Sequence, residues 1–266
     1  VKNWINTASL FAILCSILLG TLAQATEPPA QFSNASLKGG YEVLLVAWTS
    51  PENVTNYGYL GIVTFDGVSN VTGSFTINTG GVITTDTYNG TYSVNKNGTG
   101  SLSMSDTQNN TLQLALVIDS AGIQFLQTNP NGSTAVMNGT GTKQDSTSFS
   151  NASLKGVYGF QETKWDTTSD PNSSEPDSTL GLLIFNGLGK ISISFTDEHK
   201  GQVNTTTGKG TYSVNSDGSA SASAMMSNGR EVTFAIVISS AGKAFQLQGT
   251  NCGCGNAVLA GTAFHQ

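Results

Sequence analysis

Residues 32–41 read FSNASLKGGY and residues 149–158 read FSNASLKGVY, so the chain carries one sequence twice. The likeness continues through both halves. GIVTFDG at 61–67 answers GLLIFNG at 181–187, GTYSVN at 90–95 recurs letter for letter at 210–215, and AVMNGTGTKQ at 135–144 answers AVLAGTAFHQ at 257–266. The spacing between copies starts at 117 residues, becomes 120 and ends at 122. Both changes fall where turn residues cluster: after Trp48 and Trp165, and in NPNGST against NCGCGN. Surface loops accept insertions, whereas paired strands do not, so the drift marks strand boundaries. A repeat this long is a whole domain, because solenoid units run roughly 20–50 residues. The expected domains are 32–144 and 149–266.

Within the first copy eight strands are expected, at about 40–48, 57–66, 69–77, 83–94, 98–105, 110–118, 122–128 and 133–142. Asp66-Gly67, Asn78-Thr79-Gly80, Lys96-Asn97-Gly98, Ala121-Gly122 and Asn131-Gly132 between them are hairpin turn chemistry. Leu112, Leu114, Leu116 and Ile118 alternate with other residues and share a face, as do Val232, Phe234, Ile236 and Ile238. No segment of helical length separates the hairpins, which implies an antiparallel meander. Eight strands suffice to close a small barrel that is filled or holds one small ligand. The expected fold is all-β: two tandem antiparallel eight-stranded up-and-down barrels. An open two-sheet sandwich is the alternative.

Each copy opens with a short capped turn. Ser33 or Asn34 can cap it and Gly39 end it before the strand of Tyr41; Ser150, Asn151, Gly156 and Tyr158 repeat the arrangement. A short turn followed by Gly-x-aromatic resembles the plug of calycin (lipocalin-like) barrels, with Tyr in place of Trp and no arginine on the last strand. The run Leu37-Lys38-Gly39-Gly40-Tyr41, then Phe65-Asp66-Gly67, then Gly90-Thr91-Tyr92-Ser93-Val94-Asn95, with its second copy, also resembles uncharacterised secreted bacterial proteins carrying LKGxY, FDGxGxxxG and GTYxVNxDGxG repeats. That resemblance covers nearly all of both copies. It implies the fold and export, and supplies no catalytic residues.

Charged residues make up only 11% of the chain, against roughly 25% in typical soluble domains. The net charge is −6, and Arg230 is the only arginine. Displacing counterions from phosphates takes clustered cations, so nucleic acid is not an expected partner. Residues 1–25 read as a signal peptide: Lys2, an apolar stretch from Ala8 to Leu22, and the small–x–small site Ala23-Gln24-Ala25. A membrane span would take about 20 apolar residues, more than this stretch offers. The expectation is a secreted protein with no membrane association after cleavage. Cys252 and Cys254 are then the remaining cysteines, a disulfide candidate with free thiols or a redox or soft-metal role as alternatives.

Catalytic fingerprints are missing: there is no GxSxG, HExxH, P-loop or dinucleotide motif, and no cofactor or metal is expected. His199 sits in Asp197-Glu198-His199-Lys200 between strands, and His265 is penultimate. The oxygen-rich stretch from Asp166 to Asp177 suits calcium in its ligands and lacks the EF-hand spacing. Glu162 shares a strand face with Tyr158 and Phe160, and its counterpart is Leu45. It either faces an interior ligand site or solvent. Trp48 and Trp165 close the first strand of each copy, where an aromatic caps a core or clamps a ligand. The candidate ligand-binding residues are therefore Tyr41, Trp48, Tyr92, Tyr158, Glu162, Trp165 and Tyr212.

Three functions fit. The first is a non-enzymatic binder whose barrels enclose a small apolar ligand. The second is a structural or adhesive protein with an extracellular surface partner. The third is a small-barrel isomerase or cyclase using Glu162, Tyr158 and Tyr212. Interior volume separates them.

Overall fold

A computed structural model of the chain describes residues 31–48, 56–129, 136–166, 176–199, 201–251 and 257–266; for 164–166, 176, 177, 199 and 257 only the backbone is described. The segment read as a signal peptide, Cys252, Cys254 and most of the acidic stretch 166–177 lie outside these residues.

The first copy forms β1 (Lys38–Trp48), β2 (Tyr57–Asp66), β3 (Asn70–Thr79), β4 (Val82–Val94), β5 (Thr99–Ser105), β6 (Thr111–Ile118), β7 (Ile123–Gln127) and β8 (Val136–Lys143). The second forms β9 (Lys155–Asp166), β10 (Pro176–Asn186), β11 (Lys190–His199), β12 (Gln202–Val214), β13 (Ser219–Met226), β14 (Glu231–Ser240), β15 (Ala244–Asn251) and β16 (Ala257–His265). Each set closes into an antiparallel up-and-down barrel. Closure is carried by β1 against β8, from Tyr41↔Lys143 to Trp48↔Val136, and by β9 against β16, from Tyr158↔His265 to Asp166↔Ala257. This removes the sandwich alternative. It also leaves no open sheet edge, which a surface so poor in charge would protect badly.

Strand alternation sets the two interiors. Leu112, Leu114 and Leu116 are buried while Gln113 and Val117 between and beyond them are exposed. Each barrel has its own buried cluster, one around Phe65, Phe75 and Tyr92, the other around Phe160, Phe185 and Phe245.

One end of each barrel is plugged by a three-residue 3-10 turn, Asn34–Ser36 or Asn151–Ser153. The Ser36 hydroxyl accepts the Ser33 N–H, and Ser153 does the same for Ser150. The sequence placed the end of this turn at Gly39. The structure ends it at Leu37, whose N–H closes the last hydrogen bond on Asn34 O, so nothing remains for Gly39 to terminate. Gly39 instead lies within β1 at φ +94°, a conformation that costs glycine little. The tyrosine of the second motif holds the plug down. Tyr92 Oη donates to Asn34 O (2.9 Å) and Leu37 O (3.1 Å), and Tyr212 Oη donates to Asn151 O (2.9 Å) and Leu154 O (2.8 Å). The NASLKG and GTYSVN repeats are thus two sides of one device.

The barrels pack side by side through different outer faces. Leu44 and Leu60 of β1 and β2 meet Val237 of β14, with Val46, Ile62, Ala235 and Ala260 around them. Gln248 Nε2 donates to Gly58 O (3.1 Å), Asn78 Nδ2 to Gly249 O (3.1 Å), and Gln144 Nε2 to Asp217 O (2.9 Å) and Ile238 O (3.0 Å). All strands and all three buried clusters fall within the compact unit Phe32–Gln266, and its strands pair only with one another. No helix among the described residues is long and apolar enough to cross a membrane.

Candidate functional site

The two barrels share a closed end and differ at the other. Strand register gives the comparison position by position. In the first barrel Leu45 lies opposite Tyr59, and Tyr59 opposite Ile77. In the second, Glu162 lies opposite Thr179, and Thr179 opposite Asp197. One inward row across three strands has changed from apolar and large to polar and short.

The neighbouring positions follow. Tyr88, opposite Gly73, becomes Gly208 opposite Ile193, while Leu102 and Met104 on β5 become Ala222 and Ala224 on β13. In the first barrel Tyr59 and Tyr88 stand edge-on to Phe75, at centroid distances of 6.1 and 5.7 Å, and fill this end. The loss of the tyrosine at Thr179, beside Phe195, opens a cavity of about 560 Å³, lined among others by Glu162, Thr179, Asp197, Phe195, Val232 and Leu259, while the Met226 side chain takes up the space beside Gly208. Asn228 and Arg230, from the turn between β13 and β14, also line it. The lost volume is partly regained deeper in, where Phe160, Phe234 and Phe245 stand at the positions of Val43, Leu114 and Ile123.

Glu162 is the chemical centre of this space. Its residue is 3% exposed, and its Oε1 has no hydrogen-bond partner. Gly261 lies beside it across the β9–β16 ladder, where a Cβ would stand 2.7 Å from Glu162 Cγ and 2.1 Å from Gln161 O. Gly139 makes the same close approach to Leu45 in the first barrel, so a glycine is needed at this place in both ladders. Burial alone pushes the Glu162 carboxyl up to about 8. A carboxylate loses its hydration here and gains no cation in return, so at neutral pH the group is held as the acid. It then offers one O–H donor and a carbonyl acceptor to whatever enters. Asp197 is the other carboxylate lining the cavity; it stands nearer the mouth and is half-buried.

The seven residues selected from the sequence separate into groups. Glu162 lines the cavity. Tyr41, Tyr92, Tyr158 and Tyr212 belong to the plugged ends: Tyr41 and Tyr92 pack on Phe65, and Tyr158 and Tyr212 on Phe185. The structure does not bring Tyr158 or Tyr212 to Glu162. Trp48 ends β1 half-buried, and the side chain of Trp165 lies outside the described residues. His265 stands edge-on to Tyr158 at 5.0 Å, in the plugged end, and the His199 side chain is not among those described. Among the described residues no three His, Cys, Asp or Glu side chains converge as a metal site.

Thr179 is not among the residues the sequence points to, and Asp197 enters there only as a neighbour of His199, although both line the cavity. The signal lay in comparing the copies at inward positions only: Tyr59 against Thr179 and Ile77 against Asp197 are visible once strand parity is assigned.

A second buried carboxyl lies between the barrels. Glu42, on the outward side of β1, is 1% exposed and hydrogen-bonds Ser239 and the Gln246 backbone, yet its Oε1 has no partner. Burial outweighs those bonds and raises it to about 8.

No family model matches the chain, and no curated protein matches it. Among solved structures, it is similar to a protein of unknown function from the DUF3598 family of Nostoc punctiforme, at 12% identity, a TM-score of 0.28, and coverage of 91% of this chain and 100% of that one. It is also similar to a variant of the vaccine antigen transferrin binding protein B from Haemophilus parasuis, at 8% identity, a TM-score of 0.26, and coverage of 90% and 77%. These identities and scores are too low to assign a family. The chain stands as a tandem pair of closed eight-stranded barrels.

Proposed function

We propose that the protein is a non-enzymatic binder of a small, uncharged, mainly apolar molecule that carries a hydrogen-bond acceptor, and that the second barrel holds it. The observation that carries this reading is the cavity of about 560 Å³ lined by the buried Glu162, whose Oε1 has no hydrogen-bond partner. The volume falls within the roughly 300–1,000 Å³ of small-molecule sites. Phe195, Val232, Phe234 and Leu259 supply apolar wall, the Glu162 O–H supplies an oriented donor, and Thr179, Asn204, Asn228 and Arg230 add polar groups to the lining. A buried donor with no partner costs about 1–3 kcal/mol, which a ligand carbonyl or ether oxygen would return on binding. Asp197 and Arg230 both line the cavity, so their opposite charges favour neither an anion nor a cation, and an uncharged ligand fits.

The isomerase reading rested on Tyr158 and Tyr212, and both lie at the plugged end, away from Glu162. The first barrel serves as a filled partner of the second.

The test is a fluorescence titration with N-phenyl-1-naphthylamine, an uncharged apolar probe. The expected result is one probe per chain, with binding abolished by the triple variant Glu162→Leu, Thr179→Tyr, Asp197→Ile, which gives the second barrel the first barrel's row. Binding undiminished in that variant, or no binding by the unmodified protein, would overturn the reading.

A further inference from the structure

The contact between the barrels uses the outer face of β1 and β2 on one side and the outer face of β14 and β15 on the other. The barrels are copies, so each has both faces, and the junction within the chain uses one of each. Left over are the β9–β10 face of the second barrel and the β6–β7 face of the first.

Register identifies the leftover residues. Leu60 and Ile62 correspond to Leu180 and Leu182, since Gly61↔Phe75 is repeated as Gly181↔Phe195. Val237↔Gln246 and Ala235↔Gln248 are repeated as Val117↔Gln124 and Ala115↔Leu126. Leu60 and Val237 are 1% and 3% exposed at the junction, whereas Leu180, Val117 and Leu126 are 66%, 46% and 51% exposed. Apolar side chains whose twins are sealed in an interface thus stand in water on both outer faces.

Two details match these faces to each other. Glu42 meets Ser239 at the junction; at the leftover pair Gly159 holds the place of Glu42 and Asp119 that of Ser239. A carboxylate opposite Asp119 would be repelled in a dry seam, and glycine removes it. Gln144, whose amide reaches the carbonyls of Asp217 and Ile238 across the junction, has its counterpart in Gln266. Gln266 is exposed and lies over the leftover face, lining a groove with Gly159, Leu180 and Leu182. Its N–H is fixed on Val157 O as that of Gln144 is on Gly40 O.

We infer that a second copy of this chain is the partner of these faces: the β9–β10 face of one molecule docks on the β6–β7 face of the next, repeating between molecules the contact made within each. Such a contact is heterologous. It propagates head to tail into a ring or an open filament, depending on the rotation between copies.

Sedimentation velocity on the Phe32–Gln266 unit tests this over a concentration series reaching about 1 mM, the range in which weak contacts associate. The expected result is a mass that rises above the monomer with concentration, levelling off if a ring closes and growing on if a filament forms. Leu180→Lys and Leu126→Lys, each at an exposed position and checked for an unchanged circular dichroism spectrum, should each weaken association at least about tenfold. Mixed in equal amounts, the two variants should form a 1:1 dimer and stop there, because one intact face remains on each and both outer faces of the pair are blocked. A protein monomeric throughout the series, association insensitive to either variant, or a mixture with no heterodimer would each overturn the inference.

Discussion

The two barrels share strand number, closure, plug and the tyrosine that fastens it, and differ in one inward row near the mouth. In the first, Leu45, Tyr59 and Ile77 complete a filled interior; in the second, Glu162, Thr179 and Asp197 leave a cavity. A barrel wall is specified by its hydrogen-bonded ladders and its plug, which these substitutions do not touch. Its interior volume is a separate property of the side chains projecting inward. Duplication therefore allows one copy to supply packing while the other is hollowed out.

The largest effect should come from moving the acid into the filled copy. Leu45→Glu places a carboxyl in the buried apolar cluster that holds Met104 and Met137, and should cost about 4 kcal/mol in urea unfolding. A cost below about 1 kcal/mol would mean that the first barrel also has room.

A smaller effect per pH unit is expected from titration. Glu42 and Glu162 are each raised from 4.5 to about 8 in the folded protein. The folded state then binds more protons than the unfolded chain between those values. Their contribution to stability is fully present below about pH 4.5, declines by about 1.4 kcal/mol per pH unit for each group as pH rises, and levels off above about 8. Glu162→Gln and Glu42→Gln should each remove about half of that slope, seen as denaturation midpoints that vary less between mildly acidic and mildly alkaline buffers. A slope unchanged by either substitution would place both carboxylates in water.

The smallest effects should be equal in the two copies. Tyr92→Phe and Tyr212→Phe each remove the donor to two plug carbonyls, at a cost of about 1–2 kcal/mol. Unequal costs, differing by more than about 1 kcal/mol, would show that the plugged ends have diverged as well.

The architecture was legible because repetition supplied what one copy lacks. Spacing drift marked the loops, alternation on β6 and β14 fixed the inward parity, and Gly-containing turns set the hairpins. β2 has the expected bounds, and the other observed strand ends of the first copy differ from expectation by at most three residues, where pairing rather than composition decides. Glu162 was selected because it shares a face with Tyr158 and Phe160. Its surroundings were harder to read, since Thr179 and Asp197 are neighbours of Glu162 only through ladders that span from one strand to the next. Glu42 was missed for a related reason: its face is outward, and only the packing of a second barrel against it makes it buried. The tyrosines and tryptophans drew attention as large amphipathic side chains, while the cavity arises where such side chains were replaced.

The central claim is that Glu162 is an uncharged acid in the cavity of the second barrel. Carboxyl carbon NMR of ¹³C-Glu-labelled protein tests it most directly, in the Glu42→Gln background so that one raised titration remains. The account predicts a Glu162 resonance that changes with a midpoint near 8, shifting further when N-phenyl-1-naphthylamine occupies the cavity. A midpoint at the usual carboxylate value of about 4.3, unaffected by the probe, would contradict it.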